Sequence, residues 1–250
     1  MIESEIAMGE AEKKISVGFY NKFYLRLGKF QLNNELVYAD KNFYGFYNNS
    51  WLLINGLNYA LSRKISVGIN TNFYRTNPSL DANVYSFSPF AETYLSYISY
   101  QPNQQNLITL NFIKQEREDR QTPSKFHYKE DLGNLSYMLN SNKFSLTTQS
   151  RYGFSQNFLS ADSLSKNLSF SNLIQPSVRI LPGIWIGAYF EHQHTRKYTI
   201  NNSLQNLIYY GGNVRINIKQ NLSINLLYRN NYSPDQLFEK TNFLGCFLEL

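Results

Sequence analysis

The chain alternates between apolar and polar residues over many short stretches, most clearly near its C-terminus. Residues Leu207–Ile218 alternate, with isoleucine and valine on one face and asparagine and arginine on the other. A polar turn, Lys219–Asn221, leads into Leu222–Arg229, which alternates in the same way. A period of two predicts a β-strand, and a short turn between two such strands predicts a hairpin.

The same unit recurs along most of the chain. Further strands are predicted at Ile15–Leu27, Phe30–Ala39, Phe43–Leu61, Ile65–Tyr74, Val84–Tyr100, Leu107–Lys114, Phe126–Leu139, Phe144–Phe154, Asn167–Ile180, Ile184–Arg196 and Asn242–Leu250. This makes about 13 strands. We therefore predict an all-β fold over residues 14–250, an antiparallel transmembrane up-and-down β-barrel of about 12–14 strands. Residues 1–13 are expected to be a polar N-terminal lead or a short helix.

The connections between the predicted strands alternate in length. Short turns fall near Gly28, Arg63, Pro102, Ser141, Pro182 and Gln220. Longer polar loops fall near Ser79, Asp119, Ala161, Tyr198 and Asp235, with one short exception at Asp40. Short periplasmic turns and long outer loops are typical of outer-membrane barrels, so the pattern favours a barrel of that kind.

Composition supports a membrane barrel and disfavours other classes. Charged residues make up 17% of the chain and aromatic residues 16%, with 20 Tyr and 18 Phe, which suits an apolar outside with aromatic girdles. The net charge is +6, but the basic residues form no stripe, so nucleic acid is not an expected partner. No apolar run approaches the roughly 20 residues of a transmembrane helix, so a chain of this kind spans a membrane only as a barrel.

The cysteine count and the absence of catalytic motifs narrow the chemistry further. Cys246 is the only cysteine, which excludes an intrachain disulfide and a zinc site of several cysteines. The sequence has no G-x-S-x-G, P-loop or H-E-x-x-H motif. We therefore expect neither enzyme activity nor a cofactor.

The N-terminus differs from that of a newly made exported protein. Met1–Glu5 is acidic and no apolar segment follows, so no signal peptide is predicted. Three explanations stay open: numbering of a mature protein, an excerpt of a longer chain, or a protein that is not in a membrane. Because bacterial single-chain barrels have even strand numbers, Ile15–Leu27 is either an extra strand whose partner lies upstream or the sign of a miscount.

The segment Asn221–Tyr228, entered from a Lys/Gln/Asn turn, carries a family resemblance. In such strands, and in its general use of Asn, Tyr, Phe, Ser and Lys, the chain resembles the outer-membrane β-barrels of Bacteroidota. The resemblance covers most of residues 15–250 and is one of composition, without a diagnostic motif. It implies an outer-membrane location and work in transport, secretion or surface assembly. Leu250 departs from it, since such barrels commonly end on an aromatic residue.

Charged residues on the polar sides of the predicted strands are candidates for a lumen lining. They are Lys22, Arg26, Glu35, Glu92, Arg151, Arg179, Glu191, Arg215 and Arg229. One interpretation is a pore whose basic excess favours anionic solutes, as charged rings do in channels. The alternative is a closed lumen filled with charges that neutralise one another.

Two further groups are candidates for binding. His192 and His194 stand at i and i+2 of one predicted strand, so both side chains point to its apolar face and could share a metal. The alternative for them is an interfacial role at the membrane rim, and His127 is not expected as a third ligand. The run Gln115–Arg120 is predicted to be a solvated loop, with binding to a partner or to lipopolysaccharide phosphates as the alternative.

Three functions follow from these features. The first is passive or partner-assisted passage of small solutes across an outer membrane, with outer-membrane lipid around the barrel. The second is a closed structural, assembly or secretion-associated barrel whose loops near Asp119, Ala161 and Asp235 bind a surface protein. The third is a soluble β-sandwich or fibre module whose apolar faces pack on each other.

Overall fold

The structure is a computed structural model that describes residues 1–11, 14–43, 49–78, 87–159, 166–197, 204–219, 222–232 and 241–249. These residues form β1 Ile2–Ala11, β2 Lys14–Leu27, β3 Phe30–Ala39, β4 Ser50–Ala60, β5 Ile65–Thr76, β6 Pro89–Asn103, β7 Asn106–Asp119, β8 His127–Asn140, β9 Phe144–Asn157, β10 Lys166–Leu181, β11 Ile184–Lys197, β12 Leu204–Lys219, β13 Leu222–Tyr232 and β14 Thr241–Glu249. Within the ranges described, no helix is long and apolar enough to cross a membrane.

All of these strands belong to one sheet. Each strand is hydrogen-bonded to the next in sequence, so the 14-stranded order follows the chain without a crossover. The hairpin of β4 and β5, for example, pairs antiparallel from Ser50↔Thr76 to Ala60↔Ser66. This confirms the predicted all-β, antiparallel up-and-down topology, and the strand number lies within the predicted range. The described strands form one continuous sheet, which disfavours the alternative of a sandwich of two sheets.

The N-terminal segment is a strand, and the expectation of a lead or short helix is wrong. Ile2–Ala11 pairs with β2 from Ile2↔Phe23 to Ala11↔Lys14. The Ser4 hydroxyl donates a hydrogen bond to the Asn21 side-chain oxygen across this pair, at 2.8 Å. The strand escaped prediction because its few apolar residues are interrupted by glutamates. The predicted strand Ile15–Leu27 therefore finds a partner on this side within the chain itself.

The chain divides into two compact units. Unit 1 comprises Met1–Ser99, Asn111–Leu132 and Ser155–Lys166. Unit 2 comprises Tyr100–Leu110, Gly133–Phe154 and Asn167–Leu250.

Unit 1 has an apolar face and a polar face, because successive side chains of a strand point to opposite sides. The apolar face exposes large side chains to the surroundings, including Leu57, Tyr59, Ile69, Tyr94 and Ile98. On it the rings of Trp51 and Phe73 lie 6.4 Å apart, and those of Phe73 and Tyr94 lie 5.5 Å apart. On the polar face the hydroxyls of Ser66 and Ser99 are 2.6 Å apart. A contiguous exposed apolar surface of this kind indicates contact with lipid or protein.

Unit 2 has the same division into faces. Its apolar face exposes Ile174, Val178, Ile186, Phe190, Tyr210, Leu226 and Tyr228. Val214 lies on this face between Ile186 of β11 and Leu226 of β13, which are its register partners. On the opposite, polar face, the hydroxyls of Ser145 and Ser177 are 2.6 Å apart.

A polar row crosses the apolar face of unit 1 near the middle of three neighbouring strands. Asn34 donates from its side-chain amide to the side-chain oxygen of Asn55, at 2.6 Å. Asn55 in turn donates to the hydroxyl of Thr71, at 3.1 Å. The three residues face one another directly in the register of β3, β4 and β5.

Candidate functional site

Charged residues of unit 1 form a row on its polar face. Lys22 of β2 lies between Glu3 of β1 and Glu35 of β3 in the strand register. Arg26 lies on the same face, closer to the β2–β3 turn, opposite Gln31. The row therefore brings three of the predicted lumen residues to one side of the sheet and adds Glu3, which lies in the segment predicted to be a polar lead. That this side lines an open lumen stays a prediction.

The polar face of unit 2 is more basic than the charged row of unit 1. Trp185 of β11 lies between Arg179 of β10 and Arg215 of β12 in the register. Arg215 donates from Nε to the side-chain oxygen of Asn217, at 3.1 Å. Glu191 shares this face further along β11, opposite Leu173 and Tyr209. Two arginines on either side of an indole make a place where an anion would find guanidinium donors.

Two more of the predicted lumen residues lie in unit 2. Arg151 is exposed and lies six residues after Ser145 on β9, an even spacing that puts both side chains on the polar face. The side chain of Arg229 lies outside the described residues, although its backbone pairs with Gly211.

Glu92 lies on the apolar face of unit 1, and its predicted place among the lumen residues is corrected. It precedes Tyr94 by two residues on β6, and the Tyr94 ring packs against Phe73 on the apolar face. Ser99 of the same strand bonds Ser66 on the other side. The prediction failed because both faces of β6 carry aromatic residues, so alternation alone does not identify the outer one.

His192 and His194 lie on the apolar face of unit 2, where alternation predicted them. Their ring centroids are 6.4 Å apart. His194 Nδ1 is hydrogen-bonded to the side-chain oxygen of Asn206, at 2.7 Å, and His192 stands opposite Asn172 and Ile208. Among the described residues, three side chains with metal-binding atoms lie close together elsewhere in the chain, and neither His192 nor His194 is one of them.

That group lies instead at the end of β7 and the start of β8, in unit 1. It consists of Glu116, Glu118 and His127, whose ligand atoms are all within 4.8 Å of one another. We call it the Glu–Glu–His cluster. The Nε2 atom of His127 is 2.6 Å from Oε1 of Glu116 and 3.8 Å from Oε2 of Glu118.

The run Gln115–Arg120 is therefore not the loop that was predicted. Its first five residues continue β7 up to Asp119. Phe112 is the last exposed apolar side chain on the apolar face of this strand, and the residues that follow on that face are charged. Charged side chains on the outer face of a strand destabilise the fold strongly in the middle of a bilayer and only slightly near the bilayer surface. We infer that this part of the hairpin lies beyond the apolar band.

Basic and aromatic side chains surround the Glu–Glu–His cluster. Lys129 Nζ is 2.9 Å from Oε2 of Glu116, and Arg120 pairs with Glu118. The His127 ring stacks on Phe158 with centroids 4.5 Å apart. Each acidic group thus has a basic partner on one side and the imidazole on the other.

A buried aspartate ties the loop between β7 and β8 to its surroundings. Asp119 is 2% exposed and accepts backbone N–H bonds from Ser88, Lys125 and Gln121, at 2.9, 3.1 and 3.2 Å. It lies beyond Phe112 and hence outside the apolar band. Burial raises the pKa of the carboxyl, but these hydrogen bonds outweigh it and hold the pKa below its usual value.

A second polar tie joins the ends of β4 and β5. Asn49 donates from its side chain to the side-chain oxygen of Asn77, at 2.7 Å, and both residues have positive φ. Asn77 also donates to the carbonyl of Phe87, at 3.2 Å. Asparagine tolerates a positive φ better than most residues, so it suits both positions. The alternation of apolar and polar residues did not predict this tie.

No protein-family model matches the chain, and no curated protein sequence matches it either. Solved structures do match. A loop-deletion mutant of OmpT, an outer membrane protein of Vibrio cholerae, has a TM-score of 0.55 and 7% identity, covering 98% of this chain and 95% of its own. The outer membrane channel DcaP of Acinetobacter baumannii has a TM-score of 0.58 and 9% identity, with coverages of 96% and 87%.

A bacterial polysaccharide outer membrane secretin is similar as well, with a TM-score of 0.50, 11% identity and coverages of 97% and 82%. At identities this low the likeness concerns the fold alone. The strand order, the exposed apolar faces and these neighbours agree, and the fold of the chain is that of an outer-membrane β-barrel.

Proposed function

We propose that the protein resides in a bacterial outer membrane and gives small solutes passive passage across it. The observation that carries the proposal is the pairing of two unlike faces in each unit. An apolar face rich in exposed aromatic residues suits lipid, and a polar face with charged rows suits water and solute. The structural likeness to an outer membrane channel supports it.

The solutes that we propose are anions. The described polar face of unit 2 carries Arg151, Arg179 and Arg215 against Glu191, and two of these arginines flank Trp185. The excess positive charge on the polar face of unit 2 raises the local concentration of anions there and lowers that of cations. The resemblance of the strands to Bacteroidota barrels supports a source in that group.

Conductance in planar bilayers tests the proposal directly. The chain should open stepwise conductances, and a salt gradient should give a reversal potential on the anion-selective side. The double variant Arg179→Glu/Arg215→Glu should move that potential toward cations. A matched control is Lys64→Glu/Lys143→Glu, which makes the same change in charge in two exposed turns and should leave the potential nearly unchanged.

A correctly folded barrel that never conducts would refute the channel and favour the second hypothesis, a closed barrel that anchors or assembles a surface partner. Under that hypothesis the partner would bind the long loops. Of the three loop positions expected to meet it, Asp119 is described and buried, whereas Ala161 and Asp235 lie outside the described residues.

A further inference from the structure

We propose that the Glu–Glu–His cluster binds a divalent transition metal ion, for which Zn²⁺ is the natural probe. One imidazole nitrogen and two carboxylate oxygens form a donor set that Zn²⁺ accepts readily, with its fourth position left for water. Mg²⁺ and Ca²⁺ prefer sites made of oxygen alone. The proposed site lies at the end of β7 and the start of β8. Metal binding there does not depend on whether the barrel conducts solutes.

The cluster is arranged so that the carboxylate oxygens not paired with Lys129 or Arg120 both face the imidazole nitrogen of His127. Glu116 uses Oε2 for Lys129 and turns Oε1 to His127 Nε2. Glu118 uses Oε1 for Arg120, and its Oε2 faces the same nitrogen. These contacts with Lys129 and Arg120 fix the orientation of the two carboxylates.

The backbone and a neighbouring ring also fix the positions of the donors. Glu116 and Glu118 are two residues apart on β7, so they share its apolar face, and His127 begins the adjacent strand β8. Phe158 stacks on the imidazole. The side chains of the three donors are 16, 22 and 26% exposed, so an ion can reach them while most of each side chain is held by packing.

Binding exchanges protons and ion pairs that the structure identifies. The ion replaces the hydrogen bond between His127 Nε2 and Glu116 Oε1, which are 2.6 Å apart, and a proton released from the imidazole nitrogen on binding goes to solvent. Lys129 competes with the ion for Glu116. Glu92 lies on the same face and interacts electrostatically with Lys129, so it offers that ammonium group a second partner when the ion occupies the cluster.

Calorimetric titration of the refolded full chain in detergent tests the site. Folding is first verified by different gel mobilities of unheated and boiled samples. Zn²⁺ should bind at one saturable site, and Mg²⁺ in equal concentration should not compete. His127→Ala and the isosteric Glu118→Gln should each weaken binding by about tenfold or more. Co²⁺ should give visible absorption bands in the wild type that His127→Ala lacks.

Two further variants make the outcome decisive. The double variant His192→Ala/His194→Ala removes the other histidines and should bind Zn²⁺ like the wild type. Lys129→Met removes the competing ammonium group and should tighten binding by about tenfold. The proposal is overturned by a folded wild type without saturable zinc binding, by binding that survives both His127→Ala and Glu118→Gln, or by binding that disappears in the His192/His194 variant.

Discussion

Replacement of Val214 by arginine probes whether the apolar face meets lipid. Val214 stands between Ile186 and Leu226, and these two side chains are 40% and 41% exposed. Nothing polar faces it from the two neighbouring register positions. An arginine at this position would have to give up its hydration or bend toward the membrane edge.

The position of Val214 in the strand sets the size of the effect. Val214 precedes Lys219, the last residue of β12, by five residues, which is about 16 Å along the strand at about 3.3 Å per residue. With a tilt of about 40°, this places Val214 about 13 Å above the short turn, near the middle of an apolar band about 25 Å tall. Arginine at the midplane costs about 2–4 kcal/mol of folding free energy, compared with about 0–1 kcal/mol near the interface.

Reversible urea unfolding in lipid vesicles measures this difference. Val214→Arg should lower the free energy of unfolding by about 2–4 kcal/mol. The neighbouring change Asn213→Arg makes a suitable control, because Asn213 points to the polar face, where its register partner on β11 is Gly187. The control should cost less than about 1 kcal/mol. Equal losses at the two positions would refute the assignment of the faces, and so would equal tolerance.

Three other perturbations test the fold and the rim. Deletion of residues 2–11 unpairs one edge of β2, so the unheated sample should lose its folded gel band. If the segment were a dispensable lead, the band would remain. Gly68→Leu would place a Cβ 2.6 Å from the Tyr97 hydroxyl oxygen and should cost about 1–3 kcal/mol in urea unfolding, whereas Ile69→Leu on the other face should cost little. Asp119 adds stability that is fully present above its ordinary pKa of about 3.9 and is lost as the pH falls through its lowered folded-state pKa. Asp119→Asn should therefore melt at a lower temperature than the wild type at neutral pH, and its melting temperature should fall less as the pH is lowered. A pH series of thermal melts measures both effects.

Much of the sheet could be predicted because each strand has unlike faces. The predicted strand Leu207–Ile218 lies within β12, and Ile184–Arg196 is one residue shorter than β11. Where the contrast between the faces fades, prediction failed. The end of β7 is charged on both sides, so it lacks the apolar marker of a strand although the backbone pairing continues to Asp119.

The candidate metal cluster could not be predicted from spacing alone. Glu116 and Glu118 are two residues apart, which is a usable signal only once the segment is known to be a strand. Their meeting with His127 depends on the register between β7 and β8, which a loop of unknown conformation sets. The pair His192 and His194 needed no such knowledge, because one strand holds both.

The row Asn34–Asn55–Thr71 constrains how this sequence can change over time. Each of the three side chains satisfies a neighbour on a face turned to an apolar environment. Loss of one member leaves a polar group without its partner, which costs about 1–3 kcal/mol, while replacement of all members by apolar residues of similar shape is nearly neutral. The three positions should therefore covary among related sequences, being either all polar or all apolar. Sequences with a mixture should be rare, because each leaves a polar group without its partner.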